Sequence, residues 1–364
     1  MKIKEVIAIL NELAPLSYTE EFDNTGLLVG DYETKVSGIL VTLDTLESVV
    51  DEAIAEGCNL IVSFHPIIFS GLKNLTGKNY VERVVIKAIK NNIAIFSLHT
   101  ALDNSWNGVN AMICNKLNLT NRRVLIPKKN TIKKLTTYVP EKHFQNLLSE
   151  LFKAGAGTIG NYSNCSFSID GTGSFLGNKE SNPIIGSKGE LRFEKETLLN
   201  VTLPAHKKSD VLESLFKHHP YEEIAYELTT LENNNQHIGM GMIGELETSN
   251  SEIEFLKFLK QTMNTSCIRH SKLLEKPIKK VAVLGGSGSF AIPNAIKERA
   301  DIFITADCKY HDFFKTEDQM LLADIGHYES EQFTKELLVA YLNKKITIFA
   351  VLLSQINTNP ITYF

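Results

Sequence analysis

The chain has 364 residues, a length sufficient for two or three domains. Of these residues 43% are hydrophobic and 22% are charged, a composition typical of a globular protein. Its formal net charge of -4 gives no electrostatic reason to bind nucleic acid or an anionic membrane, so we expect neither partner. The five cysteines are odd in number and form no C-x-x-C pair, which favours reduced thiols over a disulfide framework or a zinc finger.

The first predicted element is an amphipathic helix. Ile3, Val6 and Leu10 recur at helical spacing, charged residues lie between them, and Pro15 ends the helix. The pattern lacks the uninterrupted apolar core of a signal peptide, and the longest apolar run, residues 346–353, is too short to cross a bilayer. We therefore expect a cytoplasmic protein.

Strands and helices alternate through the first third of the chain. Continuous apolar strands are predicted at 38–44, 58–64 and 93–98, and helices at 46–55, 80–91 and 108–117. Apolar strands separated by helices are typical of a parallel sheet that is covered on both faces. We expect a first α/β lobe over residues 1–126.

The middle of the chain has a different pattern. Alternating strand-like segments at 134–139, 165–169, 189–193 and 198–203 are joined by amphipathic helices at 143–154 and 208–218, and a glycine-rich tract covers 155–177. This pattern predicts an inserted α+β domain over residues 127–242.

The α/β alternation returns in the last third. Strands are predicted at 280–284, 301–305, 320–324 and 347–353, and helices at 255–263, 292–299, around 310–314 and at 329–342. We expect a second α/β lobe over residues 243–364. The predicted fold class is therefore α/β, with two three-layer lobes and an α+β insert.

Three of the predicted strands run into motifs that contain histidine. His65 follows the second strand, His99 follows the third with Asp103 four residues later, and His327 follows the strand at 320–324 with Glu331 four residues later. Groups four apart project from one side of a helix, and open α/β sheets keep their sites at the carboxyl ends of strands. Each histidine taken singly is more often a hydrogen-bonded turn residue. Together they predict a divalent-metal site for zinc, manganese or iron.

Two further features allow more than one interpretation. His311 follows the strand at 301–305. It is either a group of the same cleft, acting as general acid/base or donating a hydrogen bond to a phosphate, or a helix-capping residue. Asp307 and Lys309 are either groups of that cleft or loop charges. The turn at 285–289, GGSGS, either cradles a phosphate with its backbone N–H groups or is only a tight strand-to-helix turn.

The motifs taken together resemble those of a known family. The sequence is similar to the NGG-one-interacting-factor-three-like proteins, also labelled GTP cyclohydrolase 1 type 2 homologues, in the longer bacterial form with an inserted domain. The resemblance covers nearly the whole chain and is carried by residues 22–30, 63–69, 99–103, 108–110, 165–167, 171–175, 219–223, 285–288, 305–311 and 324–331.

The resemblance implies a dinuclear metal centre between the two lobes, facing the inside of a toroidal homohexamer. The family's ligand positions fall on His65, Asp103, His327 and Glu331, with His99 as a further ligand or a neighbour of the ligands. The insert is expected to resemble ferredoxin-like PII/CutA trimeric domains and to cap the openings of the ring.

One departure from the family pattern bears on the metal count. The family usually has two adjacent histidines before the proline, and the first of them is Phe64 here. One metal position therefore lacks an imidazole, and either one or two ions per chain are expected. We predict a metal-dependent hydrolase acting on a small molecule, either a nucleotide, as in GTP cyclohydrolase chemistry, or a phosphoester. The alternative is a non-catalytic ring that binds or delivers metal or serves as a regulatory scaffold.

Overall fold

The computed structural model describes all 364 residues and divides into two compact units. The larger unit consists of Met1–Ile126 and His237–Phe364, and the smaller unit consists of Pro127–Gln236. Both units combine helices with sheets, which confirms the predicted fold class.

The first sheet of the larger unit has five strands. They are β1 (Gly26–Val29), β2 (Ile39–Thr42), β3 (Leu60–Ser63), β4 (Ala94–Ser97) and β15 (Val351–Leu353). The spatial order is β1-β4-β3-β2-β15, with β1 antiparallel to β4 and all other pairs parallel. Every residue of β2, β3 and β4 is buried, as their uninterrupted apolar sequences predict. The helices of this part are α1 (Ile3–Leu13), α2 (Glu47–Ala55), α3 (Tyr80–Lys90), α4 (His99–Asp103) and α5 (Val109–Lys116).

The second sheet of the larger unit has six strands. They are β5 (Thr120–Pro127), β10 (Gly239–Asn250), β11 (Arg269–His270), β12 (Ile278–Ser287), β13 (Ile302–Ala306) and β14 (Leu321–Asp324), in the spatial order β11-β14-β13-β12-β10-β5. The central pairs β12–β13 and β13–β14 are parallel. The helices of this part are α8 (Glu252–Thr262), α9 (Ile292–Lys297), α10 (His327–Glu331) and α11 (Thr334–Lys345).

One apolar core joins the two sheets of the larger unit. It contains Val62 and Phe96 from the first sheet together with Val283 and Ile304 from the second, and helix α5 contributes Ile113. Because both sheets pack into this core, the carboxyl ends of their parallel strands are held in a fixed relation to each other.

The smaller unit is a four-stranded antiparallel sheet with two helices. Its elements are β6 (Ile132–Pro140), α6 (Glu141–Lys153), β7 (Ser166–Leu176), β8 (Leu191–Pro204), α7 (Lys208–His218) and β9 (Tyr226–Thr230), with the strands in the order β7-β8-β6-β9. This is the βαββαβ connectivity of a ferredoxin-like unit. Leu147 and Leu151 of α6 and Val211 and Leu215 of α7 are buried in its core.

Several predicted elements differ from those observed. The two strands predicted at 189–193 and 198–203 form one continuous strand, β8, because its residues pair with β7 and β6 without interruption. The helix predicted at 329–342 is two helices, α10 and α11, and the segment predicted as a helix around 310–314 is a 3₁₀ helix, Tyr310–Thr316. None of the helices has the length and apolar character needed to span a membrane.

Candidate metal centre

The backbone around His65 is fixed by hydrogen bonds to residues at the ends of the two neighbouring strands. The His65 N–H donates to the Leu43 carbonyl at 2.9 Å, and the His99 N–H donates to the Phe64 carbonyl at 2.9 Å. The Ser97 hydroxyl at the end of β4 also donates to the Phe64 carbonyl, at 2.7 Å. The segment Phe64–His65 is thereby held between the ends of β2 and β4.

His327 begins a helix shortly after strand β14. Gly326 follows β14 by two residues and has a φ of 93°, a left-handed conformation that an L side chain rarely adopts. This turn places His327 and Glu331 at the two ends of the short helix α10, four residues apart.

Two imidazoles and one carboxylate converge at this point. His65 Nε2 lies 3.1 Å from Glu331 Oε2, and His327 Nε2 lies 3.2 Å from the same oxygen. The two Nε2 atoms are 3.4 Å apart. An ion at the centre of such a triangle would be about 1.9 Å from each atom, close to the bond lengths of about 2.0–2.2 Å that zinc makes to nitrogen and oxygen ligands.

A buried oxygen without a hydrogen bond supports the same interpretation. Glu331 is 3% exposed, and its Oε2 atom has no hydrogen-bond partner. A buried carboxylate oxygen without a hydrogen bond is costly unless a positive charge lies beside it, and a bound cation would supply that charge. The donor set of two imidazole nitrogens and a carboxylate oxygen therefore fits a divalent metal ion.

The outer nitrogen of each clustered histidine faces another carboxylate. His65 Nδ1 lies 2.8 Å from Asp44 Oδ1, and His327 Nδ1 lies 2.7 Å from Asp307 Oδ2. Since a carboxylate only accepts, each Nδ1–H donates and leaves Nε2 to face Glu331. Carboxylate–histidine pairs of this kind orient metal-binding imidazoles and raise their basicity.

The charges of the cluster shift its pKa values strongly. Burial by itself would lower the pKa of His65, but the charges of Glu331 and Asp44 outweigh it and raise that pKa to about 10. The pKa of His327 is raised to about 9, because Glu331 and Asp307 again outweigh burial. The pKa of Glu331 is lowered to about 2, since the two imidazoles outweigh the effect of its burial. Without a metal ion, protonated imidazoles thus compensate the buried carboxylate.

Asp103 and His99 lie beside the three converging groups. The Oδ1 atom of Asp103 is buried without a hydrogen-bond partner, and burial together with the charge of Glu331 raises the pKa of its carboxyl well above the usual range. The His99 ring centroid is 5.3 Å from that of His65, and His99 Nδ1 lies 2.7 Å from Asp23 Oδ1. The backbone of His99 has a φ of 31°, an uncommon conformation that clusters at functional sites.

Phe64 is completely buried where the resemblance would place an imidazole. It is 0% exposed, and its ring centroid lies 4.9 Å from that of His65 and 5.7 Å from that of His99. An apolar ring therefore borders the cluster on the side of His99.

His311 is not among the converging groups. It is exposed on the 3₁₀ helix Tyr310–Thr316, and its ring contacts are with Tyr310 and Phe314, at 5.2 and 6.2 Å between centroids. The structure thus does not join it to the cluster, and its predicted role in acid/base chemistry stays a prediction.

The glycine-rich segment predicted as a turn at 285–289 begins inside β12, which extends to Ser287, and its glycines pack directly against the cluster. The N–H groups of Gly285 and Gly286 donate to Asn110 Oδ1 at 3.1 Å and to Ser330 Oγ at 2.9 Å, so neither is directed at a ligand. Gly286 has a φ of +66°, and a Cβ atom at this position would lie 2.4 Å from Glu331 Oε1. The glycine is needed here because the carboxylate of Glu331 occupies the space of a side chain.

Sequence reasoning missed the carboxylates that orient two of the histidines. Asp44 bonds His65, and Asp23 bonds His99. For Asp44 the sequence held a signal, since Asp44 follows the carboxyl end of β2, and the histidines also follow the carboxyl ends of strands. Asp307, which we considered either a cleft group or a loop charge, bonds His327.

Comparisons with known proteins agree with this architecture. The sequence model of the family described as Duf34/NIF3 (NGG1p interacting factor 3) matches residues 1–360. A Bacillus subtilis protein named GTP cyclohydrolase 1 type 2 homolog is 35% identical over 99% of this chain and 98% of its own length. A protein of the same name from Halalkalibacterium halodurans is 36% identical over 98% of each chain.

A solved structure has the same fold as this chain. The crystal structure of a Bacillus cereus protein related to NIF3 is similar to this chain with a TM-score of 0.86 and 32% sequence identity, covering 100% of this chain and 99% of the other. These matches confirm the resemblance seen in the motifs. The chain therefore belongs to the Duf34/NIF3 (NGG1p interacting factor 3) family.

Proposed function

We propose that this protein binds a divalent metal ion at His65, His327 and Glu331 and uses it to hydrolyse a small molecule of the nucleotide or phosphoester type. The observation that carries the proposal is the convergence of two Nε2 atoms on a buried carboxylate oxygen that has no hydrogen-bond partner. Zinc is our first choice for this mixed nitrogen and oxygen set, with manganese or iron as alternatives.

Each residue of the site has a separate role in this proposal. His65 and His327 present Nε2 electron pairs, and Asp44 and Asp307 keep the proton on the opposite nitrogen. Glu331 supplies the anionic ligand. A divalent ion bound there would supply Lewis acidity, which polarises a carbonyl, imine or phosphoryl group.

Asp103 and His99 extend the proposed site. The Oδ1 atom of Asp103 has no hydrogen-bond partner, and His99 is oriented by Asp23. They are the groups that a second ion would use. The count of one or two ions per chain depends on whether these two groups suffice beside Phe64.

The substrate class rests on the chemistry of the site and on the names of the relatives. The name GTP cyclohydrolase 1 type 2 homolog suggests a purine nucleotide for the two bacterial relatives. A carbonyl, an imine and a phosphoryl group are all polarised by the same ion, so phosphoester hydrolysis is equally compatible with the ligand set.

A non-catalytic metal-binding or metal-delivery ring is the second candidate. The observation that favours it is Phe64, which is fully buried and removes an imidazole from one metal position. A site that holds a single ion lacks the two-ion clamp that stabilises both the attacking and the leaving oxygen.

The deciding experiment measures metal content and turnover together. The wild type and the variants His65→Ala and His327→Ala are loaded with zinc, manganese or iron(II), analysed for metal, and assayed on nucleotides and phosphodiesters. His270→Ala, at an exposed position, is the matched control. Turnover that follows metal content supports the hydrolase, whereas bound metal without turnover supports the second candidate. A wild type that binds no metal overturns both.

We propose His311 as the acid/base residue, tested by comparing His311→Ala with wild type at equal metal content. From the resemblance we further propose a cytoplasmic homohexameric ring with the smaller unit as a PII/CutA-like cap. Light scattering should then give a mass about six times the 40.7 kDa of one chain.

A further inference from the structure

The segment that follows the last strand touches both halves of the candidate metal centre. This C-terminal segment comprises residues 354–364. The Thr358 hydroxyl donates to Asp44 Oδ2 at 2.6 Å, and the Asn359 amide donates to Glu329 Oε1 at 3.2 Å. Asp44 follows β2 of the first sheet, whereas Glu329 lies in α10.

The C-terminal segment is held firmly at its start. Ser354 is 1% exposed, its N–H donates to the Val41 carbonyl at 2.9 Å, and its hydroxyl donates to Glu52 Oε2 at 2.5 Å. The Gln355 N–H donates to the other oxygen of Glu52 at 2.7 Å. These bonds fix the direction in which the chain leaves β15, and Thr358 itself is only 6% exposed.

Thr358 completes the hydrogen bonding of Asp44. One carboxylate oxygen, Oδ1, lies 2.8 Å from His65 Nδ1, and the other, Oδ2, accepts from Thr358. The terminal torsion of an aspartate is broad, so a single bond to histidine does not define the carboxylate plane. Two bonds from opposite sides do define it, and they hold Oδ1 against His65 Nδ1–H.

The second clustered histidine has a corresponding hydroxyl. The Ser287 Oγ–H donates to Asp307 Oδ2, the same oxygen that faces His327 Nδ1. Each imidazole–carboxylate pair of the cluster therefore ends on a hydroxyl group. For His327 that hydroxyl comes from β12, and for His65 it comes from the C-terminal segment.

The hydrogen bond from Asn359 to Glu329 reaches α10, the helix that carries His327 and Glu331. Glu329 lies between His327 and Glu331 and is 6% exposed. A Cβ atom at Gly326 would lie 2.2 Å from Glu329 Oε2, so this carboxylate covers the first turn of the helix. Asn359 thus holds a side chain that packs on the start of α10.

We propose that Thr358 is a positioning residue for the metal centre. Through Asp44 it fixes the tautomer and the ring plane of His65, so that Nε2 faces Glu331 and His327. The C-terminal segment thereby sets the metal affinity of a site whose ligands all come from other parts of the chain. This inference rests on the metal binding proposed above.

The test compares variants that differ in the hydroxyl group alone. Thr358→Val removes the hydroxyl and nearly keeps the shape, Thr358→Ala removes it without adding volume, and Thr358→Ser keeps it. Thr137→Val is the matched control, because Thr137 is also buried and donates its hydroxyl to a backbone carbonyl, that of Ala225. Circular dichroism and a thermal midpoint without metal establish that each variant folds.

Two measurements are made on each folded variant: zinc affinity by competition with a chromophoric chelator, and the visible spectrum of the cobalt(II) form. We expect Thr358→Val and Thr358→Ala to raise the zinc Kd by about 10- to 100-fold, the usual effect of losing a group that orients a metal ligand, and to shift the cobalt bands. Thr358→Ser and Thr137→Val should stay within about threefold of wild type, since neither loses this group.

The outcomes separate this inference from the proposed function. A wild type that binds zinc, with Thr358→Val or Thr358→Ala giving wild-type affinity and an unchanged cobalt spectrum, overturns the role of Thr358 and leaves the metal site standing. Weaker binding in Thr358→Ser as well shows that packing, not the hydroxyl, matters, and also overturns it. A wild type that binds neither ion overturns the metal site and this inference together.

Discussion

Phe64→His should create a metal-binding position and at the same time destabilise the metal-free protein. Phe64 is 0% exposed and its ring lies beside the rings of His65 and His99. An imidazole in its place would add a nitrogen ligand next to the cluster. In the absence of metal it would be a buried polar group without an evident partner.

The size of the destabilisation follows from this burial. Losing the burial of a phenylalanine side chain costs about 1.5–3 kcal/mol, and a buried N–H without an acceptor costs about 1–3 kcal/mol more. Because an imidazole keeps part of the apolar contact, we expect the free energy of unfolding to fall by about 2–5 kcal/mol. This corresponds to a decrease in Tm of roughly 5–20 °C for a unit of this size.

Metal should then restore much of the stability. Zinc at about a hundred times its Kd stabilises a protein by about 2.7 kcal/mol for each site that is specific to the folded state. Differential scanning calorimetry with and without zinc measures the gain in Tm, and metal analysis gives the ions per chain. We expect Phe64→His to hold about one ion more than wild type and to gain more in Tm on adding zinc.

The control for this prediction is Phe96→His. Phe96 is likewise 0% exposed and lies in the same apolar core, within strand β4. It should be destabilised to a similar degree and should gain no additional metal. If Phe64→His has the metal content of wild type and no larger gain in Tm than Phe96→His, position 64 does not border a metal site.

Three further changes test the cluster itself. Glu331→Gln removes the shared anionic ligand. It should lower the metal content after dialysis at least tenfold, since changes around a metal site typically cost about 10- to 100-fold in metal affinity. Unchanged metal content would argue against Glu331 as a ligand. In the metal-free protein the pKa values of His65 and His327 are raised to about 10 and about 9, so the stability from their charged forms is full below pH 6.5 and is lost as the pH rises through these values. The urea midpoint should therefore be lower at pH 10 than at pH 7, and equal midpoints would contradict the coupling. Gly286→Ala places a Cβ atom 2.4 Å from Glu331 Oε1 and should weaken zinc binding in a calorimetric titration. Gly189→Ala, at a φ of +74° with nothing within 4 Å, has only the backbone strain and should bind zinc normally.

The fold class and the family were predictable from the order of the residues alone. Uninterrupted apolar runs such as residues 58–64, each followed by an amphipathic helix, are a local pattern that only a covered parallel sheet explains well. The motifs around His65, His99 and His327 were visible for a similar reason. They directly follow such runs, so their position at the carboxyl end of a strand follows from the predicted strand itself.

Element boundaries were less well determined. The separate strands predicted at 189–193 and 198–203 are one strand, β8, because pairing with β7 and β6 extends it through a polar stretch. The predicted helix 329–342 divides into α10 and α11, and between them Gln332 donates its side-chain amide to the Met263 carbonyl at 2.8 Å. Pairing with distant strands sets the length of β8, and hydrophobic periodicity does not report such pairing.

No local pattern shows which groups meet at the metal centre. His65 and His327 are 262 positions apart, and their Nε2 atoms are 3.4 Å from each other. Asp44 and Thr358 are 314 positions apart and share a hydrogen bond of 2.6 Å. Local pattern assigns each residue to a strand end or a loop. Which ends face each other depends on how two sheets pack into one apolar core, and that is a property of the whole chain.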